Sequence, residues 1–337
     1  MDSIREAAAQ CVFVRLGSNL PPGTEAFDDA KRVEALVHRC PVGGVLLFNA
    51  RWPQVTDTLA RVQRAAKEAS APPLLVASDV ERGVGQQVQG ATLFPHAMAV
   101  GATPDPAAAA AALARVTARE AQTCGIHLAF APVADVNVEP RNPIIGPRAF
   151  ASDAATARTC VEAYVRTARK NGLLTTAKHF PGHGRTTADS HATLPVVTAS
   201  REAWESVDRP PFQAAFDQAV DAVMTAHVAY PTLTGTPDEE PRPATASPVI
   251  LQSLLRDTCG FQGVVVSDSL LMEGIRDADD ADPGRQAARL LAAGVDVLVD
   301  PDDPEAVVDG LVAAVEAGEL PAERVQEACG RVLDLKR

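Results

Sequence analysis

The chain has 337 residues, 46% hydrophobic and 4% aromatic, enough for one large buried core but too few rings for a long stacking platform. Its 31 basic and 43 acidic side chains give a formal net charge of −12, and no basic cluster suited to a phosphate backbone interrupts that balance, so nucleic acid is not an expected partner. No apolar run reaches the ~18 residues of a membrane span, the charged start Met1–Glu6 lacks an apolar leader core, and six scattered cysteines without a CxxC read as reduced thiols. A cytoplasmic enzyme is expected.

Short apolar, β-branched runs recur along the chain. In order they are 10–16 (QCVFVRL), 43–48 (GGVLLF), 74–79 (LLVASD), 126–132 (IHLAFAP), 173–179 (LLTTAKH), 221–227 (DAVMTAH), 263–268 (GVVVSD) and 294–299 (GVDVLV). Longer helical stretches separate them, the pattern of repeated βα units on a parallel sheet. Three helices carry clear punctuation. Asp105-Pro106 opens an alanine-rich helix closing at Gly125, Asp282-Pro283 one ending at Gly294, and Asp303-Pro304 one ending at Gly318. An α/β fold of one (β/α)8 TIM-type barrel follows, with residues 1–337 as a single catalytic domain. An open doubly wound sheet shares this periodicity, but no GxGxxG or phosphate-loop pattern supports it. The segment 232–245 (TLTGTPDEEPRPAT) reads as a solvated loop at the rim.

Polar residues stand where a barrel keeps its active site, at the C-terminal ends of strands. The third run ends in Asp79, followed by Glu81-Arg82-Gly83. The fourth leads to Asp135 and to Asn142-Pro143-Ile144-Ile145-Gly146-Pro147-Arg148. The fifth ends at Lys178-His179, the sixth at His227 and the seventh at Asp268. The fifth also opens Lys178-His179-Phe180-Pro181-Gly182-His183-Gly184-Arg185, with Asp189-Ser190-His191 close behind. His179 and His183 are four apart, but Pro181 and Gly182 between them break the helix that such a metal-ligand pair needs, and no HExxH-like base accompanies them. No metal and no cofactor are expected.

The Lys-His-Phe-Pro-Gly-His-Gly motif, the following Asp-Ser-His, and Val264-Val265-Val266-Ser267-Asp268-Ser269-Leu270-Leu271-Met272 together resemble glycoside hydrolase family 3. The likeness is closest to its single-domain bacterial β-N-acetylglucosaminidases. It extends to Phe130–Asn137, to Arg148 in its Ile-Gly-Pro-Arg context and to Met224–Val228. The resemblance implies a retaining, exo-acting hydrolase that removes terminal β-linked N-acetylglucosamine, in a role such as recycling of cell-wall fragments.

The residues fit that chemistry in their own right. Retaining hydrolysis needs one carboxylate to attack the anomeric carbon and one acid to protonate the leaving oxygen. Asp268 ends a hydrophobic strand, where it is held rigidly and partly desolvated; a helix N-cap is its alternative role. The resemblance puts the catalytic nucleophile there. Asp189 and His191 form a carboxylate–imidazole pair that suits general acid/base work, or else a local loop bond. The resemblance makes them the acid/base dyad. Asp79, Arg148, Lys178 and His179 match sugar-contacting positions, Lys178 being also a candidate structural ion pair. His183 is left to shape the loop.

Two departures bear on the sugar. Glu81-Arg82-Gly83 stands where the family has Glu-Gly-Gly, and Gln87 where an arginine follows, so one contact is either missing or supplied by Arg82. Ser269 replaces a frequent second acid after the nucleophile. A β-glucosidase, a β-glycoside phosphorylase and a non-catalytic sugar-binding barrel are the alternatives, and both monomer and homodimer stay open.

Overall fold

In a computed structural model, residues 3–188, 193–235, 241–275 and 282–337 are described. Eight parallel strands close on themselves: β1 (Val12–Leu16), β2 (Gly44–Leu47), β3 (Leu75–Ser78), β4 (Leu128–Ala129), β5 (Leu174–Phe180), β6 (Ala222–Thr225), β7 (Val264–Ser269) and β8 (Val297–Val299). Each pairs with its neighbour in sequence, and β8 pairs with β1 through Val12↔Leu298 and Phe13↔Val299. All eight expected runs are strands of this closed (β/α)8 barrel.

The strand period of two sorts the side chains into two cores. Phe13, Leu46, Leu75, Ala77, Leu128, Met224, Val264, Val266, Val297 and Val299 pack together inside the barrel. Val12, Val14, Val45, Leu47, Val76, Val223, Val265 and Leu298 join the larger core between strands and helices. The fourth run forms only Leu128–Ala129 as regular strand. Pro132 has no N–H to donate, so the chain leaves the ladder there, although Lys178 still donates its backbone N–H to the Pro132 carbonyl at 3.2 Å.

The helix signals act as expected. The carboxylates of Asp105, Asp282 and Asp303 accept from backbone N–H groups of the first turns of Pro106–Cys124, Pro283–Ala293 and Pro304–Glu316. Gly125 closes the first of these with φ of 83°, a left-handed conformation that favours glycine. Below the barrel, the buried carboxylate of Asp296 accepts from Arg256 at 3.0 Å, Arg324 at 2.6 Å, Arg331 at 2.9 Å and the Val265 N–H at 2.9 Å. These bonds tie the last helix, Ala322–Leu335, to β7 and β8.

Among the described residues all six cysteines are buried and unpaired with one another, and no helix is long and apolar enough to cross a membrane. The segment expected as a solvated loop is only partly so. Thr245 is fully buried, donates to the Ala226 carbonyl at 3.1 Å and lies 2.8 Å from His227 Nδ1. The alternating hydroxyls of this stretch concealed that anchor.

Candidate active site

The alternation that fills the barrel also builds its mouth. One step of two beyond Phe13 is Arg15, beyond Leu75 and Ala77 is Asp79, beyond Leu174 and Thr176 is Lys178, and beyond Val264 and Val266 is Asp268. All four line one cavity of about 410 Å³ at the C-terminal ends of the strands. Apolar Leu46, Phe48, Phe130, Met224, Met272 and Val299 line it too. Polar and charged side chains outnumber these apolar ones, as suits a pocket for a polar small molecule.

Lys178 is 2% exposed, with Nζ 2.6 Å from Asp79 Oδ1 and 2.7 Å from Glu81 Oε1. Glu81 also takes a bidentate grip from Arg148, Nε to Oε2 at 3.1 Å and Nη2 to Oε1 at 2.8 Å. Burial alone would raise the Glu81 carboxyl, but Arg148 and Lys178 outweigh it and hold it well below the usual range. Burial likewise pulls the Lys178 ammonium down, and Asp79 and Glu81 more than reverse this. Glu81 and Lys178 thus stabilise each other's charged forms, and the array presents donors and acceptors together.

His179 joins the array through its Nε2, 3.3 Å from Arg148 Nη2. Its Nδ1 lies 2.7 Å from Asp135 Oδ2, which also accepts its backbone N–H at 3.2 Å. Since Arg148 can only donate, His179 Nε2 is the acceptor and Nδ1 carries the proton toward Asp135. Asp135 takes the His183 N–H at 2.6 Å on its other oxygen. One buried carboxylate therefore shapes the loop at both ends of Lys178–His183. Burial opposes its ionisation, yet His179 and His183 keep its pKa below normal.

His183 packs edge-on against His179, ring centres 5.9 Å apart at 74°, with Nδ1 2.9 Å from Thr186 Oγ1. Burial and the neighbouring His179 push its pKa down to about 4. Asn142 supports the same loop by donating to the His183 carbonyl at 2.8 Å, and Tyr230 donates its hydroxyl to the Gly182 carbonyl at 2.6 Å. His179 and His183 each use Nδ1 on the protein, and among the described residues no group of three or more metal-ligating side chains converges.

Asp268 is half-buried at the end of β7. Its Oδ1 accepts the N–H of the adjacent Ser269 at 2.8 Å, and the short 3₁₀ turn Glu273–Ile275 begins only five residues further on. Burial raises its pKa less than the nearby His179, His227, Ser269 N–H and Lys178 lower it, so the net shift is downward and the carboxylate stays ionised. His227 braces this strand end from the side, with Nε2 3.1 Å from the Ser269 carbonyl and its own pKa lowered by burial.

The cavity also holds residues that strand-end reading passed over. Arg15 forms a two-point ion pair with Asp300, including Nε to Oδ1 at 3.1 Å, and Ser269 Oγ lies 3.1 Å from the second Asp300 oxygen. Asp300 has φ of 56°, a left-handed backbone rare outside glycine and often found at functional sites. Gln87 is buried and accepts from Asn19 at 2.8 Å, so it sits on the wall where an arginine was expected. Of the residues singled out from sequence, Asp79, Arg148, Lys178, His179 and Asp268 meet in this cavity. Asp189 and His191 lie outside the described residues.

Residues 3–335 match the glycosyl hydrolase family 3 N-terminal domain. A β-N-acetylglucosaminidase/β-glucosidase of Cellulomonas fimi is 35% identical over 300 residues, 88% of this chain and 52% of that protein, so the chain spans about half of its length. A β-hexosaminidase of Pseudomonas aeruginosa is 35% identical over 293 residues, 86% of this chain and 84% of that one. The solved structure of a family 3 β-N-acetylglucosaminidase from a Paenibacillus species superposes with a TM-score of 0.89 at 36% identity, covering 100% of this chain and 62% of that chain. The chain therefore belongs to glycosyl hydrolase family 3.

Proposed function

We propose that this chain is a retaining, exo-acting β-N-acetylhexosaminidase that removes terminal β-linked N-acetylglucosamine, with residues 1–337 acting as one catalytic unit. The observation that carries the reading is the ionised Asp268 facing the same 410 Å³ cavity as the Lys178–Asp79–Glu81–Arg148 array. A nucleophile must be charged and near its substrate, and a dense set of fixed charges can bind the hydroxyls of one sugar ring in a dry pocket. The names of the Cellulomonas, Pseudomonas and Paenibacillus relatives support the N-acetyl sugar.

In this mechanism Asp79, Arg148, Lys178 and His179 hold the terminal sugar by its hydroxyls. An Asp268 oxygen attacks the anomeric carbon as the bond to the leaving oxygen breaks, and His191 gives that oxygen its proton. Asp189 holds the His191 ring and raises its basicity. Neutral His191 then takes a proton from water as water displaces Asp268, restoring the β-configuration. The reading extends to cytoplasmic recycling of cell-wall fragments.

Gln87 favours keeping a second substrate in view, because it leaves one expected cationic contact unfilled. The test is hydrolysis of matched aryl β-N-acetylglucosaminide and β-glucoside substrates, each with and without phosphate. A preference for the N-acetyl sugar that ignores phosphate supports the hexosaminidase. A preference for glucose, or a phosphate-dependent rate, replaces it with a β-glucosidase or a phosphorylase.

A further inference from the structure

Asp268 and Ser269 are consecutive, yet both line the cavity, which a strand period of two does not allow. A bulge is the reason. Val297 of β8 pairs with Val266, but Val299 pairs with Ser269, so β7 takes three steps where β8 takes two. The buried Ser267 hydroxyl accepts the Val299 N–H at 3.0 Å, and the Val299 carbonyl accepts the Leu270 N–H at 2.9 Å, which fastens the bulge to β8.

Every polar atom of Ser269 is engaged. Its N–H donates to Asp268 Oδ1 at 2.8 Å, and its hydroxyl donates to Asp300 Oδ2 at 3.1 Å while accepting the Leu271 N–H at 3.3 Å. Its carbonyl accepts the Met272 N–H at 3.2 Å and lies 3.1 Å from His227 Nε2. Asp300 is anchored in turn. Both its oxygens pair with Arg15, and its N–H donates to the Phe13 carbonyl at 2.8 Å across the β1–β8 closure. Asp268 Oδ2, by contrast, has no hydrogen-bond or ion-pair partner among the described residues.

We propose that Ser269 and Asp300 are positioning residues for the nucleophile: Asp300, gripped by Arg15, fixes Ser269, whose N–H holds Asp268 Oδ1 and leaves Oδ2 to attack. This rests on the hydrolase reading above and adds to it the reacting atom and the residues that aim it. In the first step Oδ2 bonds to the anomeric carbon as the bond to the leaving oxygen breaks. The electron pair of that bond stays on the leaving oxygen, which takes a proton from the general acid. Oδ1 becomes the ester carbonyl oxygen and still accepts from Ser269. In the second step a water oxygen replaces Oδ2 at the anomeric carbon, the ester electron pair returns to Asp268, and the water proton goes to the base. A poorly aimed Asp268 therefore slows the reaction whatever the leaving group.

The test measures kcat/KM on aryl glycosides of the preferred sugar with poor and activated leaving groups, and the inhibition constant of that free sugar. Wild type, Ser269→Ala, Ser269→Thr and Asp300→Asn are compared. Ser269→Ala is expected to lose roughly 10- to 100-fold in kcat/KM on both leaving groups, with the inhibition constant unchanged. Asp300→Asn should lose activity in the same pattern, and Ser269→Thr, which keeps the hydroxyl, should recover most of it. Ser269 is half-buried and carries no charge, so its alanine variant keeps the test open if Asp300→Asn fails to fold. A folded Ser269→Ala as active as wild type overturns the inference alone. So does a loss confined to poor leaving groups, or a raised inhibition constant at undiminished kcat, which would make these residues sugar contacts. No cleavage by wild type, or full activity in Asp268→Ala, removes the hydrolase reading as well. A crystal structure of the enzyme trapped with a fluorinated glycoside identifies the atom. The sugar is expected on the Asp268 oxygen away from Ser269, with the Ser269 N–H on the other; a sugar on the oxygen facing Ser269 overturns the assignment.

Discussion

Arg148 and Glu81 meet through two parallel bonds of 3.1 and 2.8 Å, and the same carboxylate is 2.7 Å from Lys178 Nζ. Glu81 is therefore the keystone of this charged array, although it lies off the strand. Glu81→Gln is expected to lower stability by roughly 3 kcal/mol, because it leaves two cations short of one shared partner. The sign of the pH dependence follows from the depressed Glu81 pKa. Its contribution is complete above the ordinary value of 4.5 and fades as pH falls through the lower folded-state value. Urea melts of both proteins should show a full deficit at pH 7 and a shrinking one below pH ~4.5; KM should rise in the variant.

Loss of His191 should depend on the leaving group. His191→Ala is expected to slow glycosides with poor leaving groups on the order of 10²–10⁴-fold, while activated aryl glycosides, which need no protonation, change little. Steady-state rates on a leaving-group series check this. Equal losses across the series would make His191 a positioning residue instead.

The pH–rate profile discriminates among the histidines. His183, with its pKa pushed down to about 4, is neutral throughout pH 5–8 and cannot set a limb there. The Asp268 pKa lies below its ordinary 3.8, so the acid limb from this group falls below that value. The basic limb is expected from loss of the His191 proton. Asp189→Ala should move that limb to lower pH, and His183→Gln should leave its midpoint in place. An unmoved limb in Asp189→Ala would contradict the dyad.

Asp296 serves the fold at the far end of the barrel from the cavity. Asp296→Asn removes the charge that Arg256, Arg324 and Arg331 share in a buried setting. A loss of roughly 3 kcal/mol or more is expected. Denaturant unfolding measures it, and kcat/KM of the folded protein should be unchanged.

Much of this architecture was legible along the chain. Apolar alternation marks Val264, Val266 and then Asp268 as one inward row, and capping aspartates with Pro at N1 mark helix starts. Arg15 was not legible, since a lone arginine in an apolar strand has no local signal of a partner. That partner, Asp300, lies across the β1–β8 closure, a contact that exists only because the sheet is a barrel. Glu81 was noted only as part of a departing motif, because its role depends on Lys178 arriving from β5 and Arg148 from the Gly146–Arg148 turn. Asp135 was seen as polar, but its hold on His179 and His183 follows from three-dimensional loop geometry. The dyad of Asp189 and His191 still rests on motif and chemistry.

The central claim is that Asp268 attacks the anomeric carbon. A slowly turned-over fluorinated β-glycoside of the preferred sugar, followed by peptide mass mapping, tests it most directly. The account predicts one added glycosyl mass on the peptide containing Asp268, absent in Asp268→Ala, with activity in that variant down on the order of 10⁴-fold or more. A label on another residue, or an Asp268→Ala protein as active as wild type, would contradict it.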